Sequence, residues 1–321
     1  MTGQSGSAAG GIQPNYNRPM NAREWTLLFI VAFLWGSAFL FVAVAVKAFP
    51  PLTLGAIRLV LGGSLLMALL YATGGRITFT RKVIGWYFAV ASVNSLVPIY
   101  LTSWAQQYIT VGVTAILNGA VPLATLFAAH LLTREEKLTG PKLTGTLVGL
   151  AGVIFIVGPD ALRGFDLNLT AQIAAIVATI FFGFGTVFGR RFRALGVAPL
   201  AATAGTLMTS GLMFLPLAIA IDQPWNLPAP DRFAVASALA AGLFSTATAH
   251  FLFFRLLSTA GATNASLVTL ISVPTAILLG ALVLGEVLEL RHFMGMAVVA
   301  IGLAIVDGRP FAALARQLRR S

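Results

Sequence analysis

Apolar runs of about 20 residues, the length at which a helix crosses a hydrocarbon core of about 30 Å, alternate with short polar breaks along most of the chain. The runs fall at 25–46, 52–73, 83–104, 112–132, 143–158, 170–189, 198–221, 233–256, 264–284 and 292–307. They predict ten transmembrane helices, the fifth and tenth short and glycine-rich. The breaks carry turn chemistry, as in Phe49-Pro50-Pro51, Gly74-Gly75-Arg76 and Pro228-Ala229-Pro230. No run alternates with a period of two, so a β-barrel is not indicated.

The pattern repeats. Leu143–Gly158 reads LTGTLVGLAGVIFIVG and Phe293–Gly308 reads FMGMAVVAIGLAIVDG, so Gly145, Gly152 and Gly158 match Gly295, Gly302 and Gly308 at one constant offset. Glu136 matches Glu286 at the same offset, and Pro122, Gly112, Pro51 and Gly36 match Pro274, Gly261, Pro199 and Gly183 in the same order. The expected organisation is a polar tail over 1–24, a five-helix repeat over 25–158, a second over 170–308 and a basic tail over 309–321. Five is odd, so the second repeat enters from the opposite face and the two are inverted. Inverted repeats are a recurring plan of secondary transporters, with the solute site at mid-membrane between the halves.

Composition agrees with a lipid-facing protein. The chain is 58% hydrophobic and only 10% charged, against about 25% charged in a soluble domain. Its net charge of +11 does not indicate nucleic acid, because the basic residues are spread thinly over loops. Sixteen of the 21 Lys and Arg fall on the side of the amino terminus, four (Lys47, Arg163, Arg232, Arg291) on the other, and Arg58 lies inside a span. The positive-inside rule therefore places both termini in the cytoplasm of an inner or plasma membrane. Residues 1–24 lack a signal peptide's basic start and apolar core; they read as a disordered tail, with the first helix as targeting signal. There is no cysteine.

With these motifs in order, the chain resembles the drug/metabolite transporter superfamily, in its ten-helix branch with two EamA-type repeats. The resemblance rests on Leu34-Trp35-Gly36-Ser37-Ala38-Phe39, Ala56-Ile57-Arg58-Leu59, Pro122 with Arg134-Glu135-Glu136, and Pro274 with Leu284-Gly285-Glu286. It implies solute export, often of amino acids or related metabolites, and a central cavity walled by the third, fourth, eighth and ninth helices. The second repeat departs from the pattern, with Thr206 at the position equivalent to Arg58.

Candidate chemistry follows from polar groups inside spans, which are costly there and point to pathways or to pairing. Arg58 reads either as a receptor for a substrate carboxylate or as a structural partner of Glu286 or of helix-end carbonyls. Asn94, Tyr100, Trp104, Asn118, His250 and Ser272 are cavity candidates, with Trp35 as an aromatic wall. Pro98, Pro122 and Pro274 are expected helix breaks that free backbone carbonyls, tolerated in membranes when buried in protein or facing a wet cavity. The bland reading of the neutral groups is interhelical hydrogen bonding, and both readings stand at this point. Gly145-x-x-x-Gly149 and Gly185-x-x-x-Gly189 permit close helix approach, within the chain or at a homodimer face.

Absences narrow the function. No Asp or Glu lies mid-span, against proton-coupled exchange of cationic drugs. No second ligand lies one turn from His130 or His250, against metal binding. Zinc-hydrolase and phosphate-loop motifs are missing, so neither an enzyme nor a nucleotide-driven pump is indicated, and no cofactor is called for. The expected partners are a small organic solute, an amino acid or neutral analogue, and membrane lipid. Hydrophobic-drug efflux and a channel or lipid-moving protein are the alternatives.

Overall fold

A computed structural model describes residues 20–132, 140–157, 167–265 and 267–307. The described residues contain helices and turns and no strand. Ten rods follow in order: α1 (Ala22–Ala45), α2 (Pro51–Ala72), α3 (Arg81–Ala105), α4 (Val111–Leu132), α5 (Gly140–Val157), α6 (Leu167–Ala194), α7 (Pro199–Asp222), α8 (Arg232–Gly242 continued by Leu243–Thr248 and Ala249–Ala265), α9 (Leu267–Leu284) and α10 (Leu290–Asp307). Eight are long and apolar enough to span a membrane, and α5 and α10 carry the shorter apolar stretches Leu143–Ile156 and Leu290–Ile305. The chain is a multi-pass membrane protein. The expected tails, the Arg134-Glu135-Glu136 motif, Gly158 and Gly308 lie wholly or largely outside the described residues.

Local chemistry fixes the helix starts. Asn21 accepts from the Glu24 amide and Glu24 accepts in return from the Asn21 amide, a capping box that opens α1. Thr80, Thr110 and Asp231 cap α3, α4 and α8 in the same sense. Pro51 and Pro199 begin α2 and α7, where a missing amide does no harm.

Two rods run past their expected ends. α6 continues to Ala194 because hydropathy marks the membrane edge, not the end of the helix. Phe192 is buried against Tyr87, and the Arg191 guanidinium lies 5.9 Å from the Trp86 ring centre. α8 continues to Ala265 because Leu256, Ala260 and Ala265 bury against Leu28, Val31 and Ala32 of α1.

The packing repeats itself by an approximate twofold. α1 packs on α8 and α9, while its counterpart α6 packs on α3 and α4; α2 crosses α7 and α5 crosses α10. The crossings show the relation at atomic detail. A Cβ on Gly152 would meet the Gly295 carbonyl at 2.8 Å, and one on Gly302 would meet the Gly145 carbonyl at 2.6 Å. Those two contacts interchange when the repeats are exchanged. Gly36 likewise sits against Ser272 and Thr275 of α9, as Gly183 sits against Ala124 and Thr125 of α4. Backbones this close leave no room for a side chain, which is why glycine recurs at these positions. The small residues of α5 thus serve a crossing within the chain.

Candidate functional site

Between the two sets of rods lies a cavity of about 650 Å³, walled by α1, α2, α3, α4, α6, α7, α8 and α9. That is the size of a small-ligand site. Let the end of the bundle where α1 begins be proximal and the other distal. At the distal end the cavity is roofed. Ala43 of α1, Val111 and Ala115 of α4 and Ala276 of α9 form one buried cluster. Gln106 Nε2 donates to the Phe39 carbonyl at 2.9 Å. The Glu286 carboxylate, just beyond α9, accepts from the Val111 amide at 2.8 Å and the Gly112 amide at 3.2 Å. It therefore caps α4, where exposed amides and the helix dipole favour an anion. Toward the proximal end the cavity wall runs down to Thr125, Thr186, Leu257, Ala265 and Thr269. There, among the described residues, α9 makes no comparable packing with α4.

The walls are shaped by irregular helix. α3 carries a wide turn at Ser92–Leu96, in which the Val97 amide reaches back to the Ser92 carbonyl, followed directly by Pro98. Its counterpart in α8, Leu243–Thr248, has no proline. There the Thr246 and Thr248 hydroxyls donate to the carbonyls of Ala241 and Leu243, both at 2.8 Å. Hydroxyls do in α8 what the proline does in α3. Wide turns of this kind cluster at functional sites. At Pro122, α4 breaks across Gly119–Ala120, and the Ala120 amide tightens onto Leu117. Pro274 corrects the expectation of a third break. α9 stays helical through it, with the Ser272 and Thr275 hydroxyls bonded to the carbonyls of Thr269 and Ile271.

Of the residues expected at the cavity, Trp35, Asn94, Asn118, His250 and Ser272 line it, as do Arg58 and Pro122. Tyr100 and Trp104 do not: Tyr100 packs into the core shared by α2, α3, α6 and α7, and Trp104 packs at a tilt against Tyr108 with ring centres 5.1 Å apart. The reason is angular. Ser95, Ile99, Thr102, Ser103 and Gln106 recur every three or four residues and share the cavity face of α3. At about 100° per residue, Tyr100 and Trp104 point well over 90° away from it. That spacing is the signal that separates Ser95, Thr102, Ser103 and Gln106 from Tyr100 and Trp104. Thr246, Phe253 and Thr269 line it as well.

Of the readings open for Arg58, the pairing with Glu286 is not made. Glu286 is engaged at the distal cap, and Arg58 Nε instead donates to Thr246 Oγ1 at 2.9 Å. Thr246 also presents its carbonyl to His250 Nδ1 at 2.6 Å. A carbonyl only accepts, so the proton is on Nδ1. The His250 ring meets Trp35 edge-on at 5.7 Å, and Trp35 packs on Phe253 at 4.9 Å. Thr206, the counterpart of Arg58, is buried and bonded to the Ala202 carbonyl of its own helix. The cavity is thus asymmetric, with one fixed positive group and no carboxylate among its lining residues. Among the described residues, no group of three or more His, Cys, Asp or Glu side chains is placed to hold a metal ion.

The EamA-like transporter family model matches residues 23–158 and 169–306. The uncharacterized inner membrane transporter YedA of Escherichia coli is 27% identical over 285 residues, covering 87% of this chain and 89% of its own. The uncharacterized transporter YwfM of Bacillus subtilis is also 27% identical, covering 88% and 92%. An S-adenosylmethionine/S-adenosylhomocysteine transporter of Chlamydia trachomatis is 25% identical, covering 89% of each. A protein crystal structure with 19% identity superposes with a TM-score of 0.61 over 93% of this chain and 99% of its own. That likeness speaks for the shared fold.

Proposed function

The chain belongs to the EamA-like transporter family, and on that premise we propose that it is a secondary carrier exporting amino acids or related neutral metabolites by alternating access. The observation that supports this reading is the cavity between the two repeats, roofed distally by Gln106 and Glu286 and reaching the proximal end. A pore would have no roof. Exchanging the arrangements of two inverted repeats turns a cavity open on one side into one open on the other. With both termini cytoplasmic, as the Lys and Arg bias supports, the proximal opening faces the cytoplasm of an inner membrane and the structure is the solute-loading state for export.

The cavity wall supports a neutral organic solute. Trp35, Phe39, Phe182 and Phe253 give it apolar and aromatic surface, and Asn94, Asn118 and Ser272 give neutral hydrogen-bonding groups. The Chlamydia relative supports the amino-acid class, since both solutes in its name are amino-acid derivatives. The aromatic surface also favours a second reading, efflux of hydrophobic drugs. The test is efflux from proteoliposomes preloaded with threonine, methionine or phenylalanine, with and without a pH gradient. Saturable efflux with counterflow supports the carrier. Absence of flux for every amino acid, with folded protein, removes the amino-acid assignment and leaves the drug reading.

A further inference from the structure

Resting on the carrier reading above, we propose that Arg58, Thr246 and His250 form a head-group site for an α-amino acid: Arg58 receives the carboxylate and His250 Nε2 receives the ammonium.

Arg58 lines the cavity, and among the described residues its one side-chain hydrogen bond is through Nε to Thr246. Among the described residues its two terminal nitrogens have no protein partner, and they are not sealed in the wall. Among the described residues it has no carboxylate partner. A guanidinium within a membrane span is costly without a counter-charge. Tethered at Nε, it offers the remaining donors as a planar fork that matches a carboxylate with two parallel bonds. The missing counter-charge is then supplied by the solute.

His250 completes the match. Its Nδ1–H is committed to the Thr246 carbonyl, so in the neutral imidazole Nε2 is an acceptor. Among the described residues Nε2 has no protein partner, and it is open to the cavity, whose wall His250 joins. One residue, Thr246, therefore orients both groups, through its hydroxyl and its carbonyl, from the wide turn of α8. A donor fork and a single acceptor held from one turn fit a zwitterionic head group. Trp35 and Phe253, in contact with each other, with Trp35 also against the His250 ring, offer an apolar surface for the side chain.

The test uses L-phenylalanine, 3-phenylpropanoate, which lacks the amine, and 3-phenylpropanamide, which has the acid's shape without its charge. Binding to the purified full chain is read by thermal stabilisation and transport by counterflow, so that a failed transport reading leaves the site testable. The wild type should bind the acid about 10- to 100-fold more tightly than the amide, the range for hydrogen bonds to a charged group. It should bind phenylalanine more tightly still. Arg58→Gln should bring the acid down to the amide and leave the amide unchanged. His250→Phe should remove the advantage of phenylalanine over the acid. Thr246→Val, which keeps the Arg58 charge and removes the hydroxyl that tethers it, should weaken the preference for the acid over the amide, while the backbone carbonyl still holds His250 and the advantage of phenylalanine over the acid remains. Equal binding of acid and amide by the wild type, an acid preference surviving in Arg58→Gln, or no binding of any of the three would overturn the site.

Discussion

Glu286 lies just beyond α9 and holds the first amides of α4, Val111 at 2.8 Å and Gly112 at 3.2 Å. A carboxylate from one repeat thus caps a helix of the other, at the distal end where the cavity is shut. On a rocking-bundle account this contact breaks when the cavity opens distally. Replacing one partner of a charge-assisted hydrogen bond destabilises by about 1.5–3 kcal/mol. Glu286→Gln should therefore raise the distally open population about tenfold or more. Spin labels report it directly, since the chain has no native cysteine. A pair at Tyr108 and Val287, both exposed, should show a longer distance component that grows in Glu286→Gln. An unchanged distribution would show that the cap is structural alone.

The crossing of α5 and α10 predicts a stability contrast between glycines. Gly152 and Gly302 meet backbone of the other repeat below 3 Å, whereas Gly189 has open space around it. Overpacking a tight contact destabilises by about 1–3 kcal/mol. Gly152→Leu and Gly302→Leu should lower the melting temperature in detergent, and Gly189→Leu should leave it within error. Equal tolerance at all three would mean the crossing is not held by close approach.

Two tryptophans that look alike in the sequence should behave differently. Trp35 lines the cavity and Trp104 packs away from it on Tyr108. Truncating a well-packed aromatic anchor typically costs more than about 2 kcal/mol of binding. Trp35→Ala should weaken binding of phenylalanine about tenfold or more, with little change in melting temperature. Trp104→Ala should lower the melting temperature and leave the affinity nearly intact. The reverse pattern would relocate the solute.

These contrasts also show what the sequence makes legible. Ten rods, two repeats and their inversion are readable because each rests on a one-dimensional signal: span length, turn residues, or matched glycines such as Gly145 and Gly295. Trp35 and Asn118 were readable as cavity residues because they stand beside Gly36 and Gly119 inside a span, Asn94 because it lies one turn before Pro98, and His250 because it is an ionisable group deep in a span near Thr246 and Thr248. Tyr100 and Trp104 were misplaced because residue type was weighed without helical phase. The Arg58–Glu286 pair, one of the alternatives open for Arg58, is not made because it matches opposite charges without regard to where in the bundle each sits. The wide turn in α8 was hidden for another reason. It is held by the Thr246 and Thr248 hydroxyls, and threonine in a membrane helix more often bonds within a regular turn. The partner of Arg58 depends on that turn and was not visible before it.

The account stands on a cavity that opens at one end at a time, and side-specific cysteine labelling measures this most directly. Thr125→Cys lies toward the proximal part of the cavity and Val42→Cys toward its distal part. Each is treated with a membrane-impermeant maleimide in right-side-out and in inside-out vesicles. The account predicts that at rest both cysteines react only from the cytoplasmic face, Val42→Cys more slowly. With Glu286→Gln, or during counterflow of phenylalanine, Val42→Cys should become reactive from the outer face while its cytoplasmic reactivity falls. Labelling of either cysteine from both faces at equal rates, unchanged by Glu286→Gln, would contradict alternating access and mark a continuous pore.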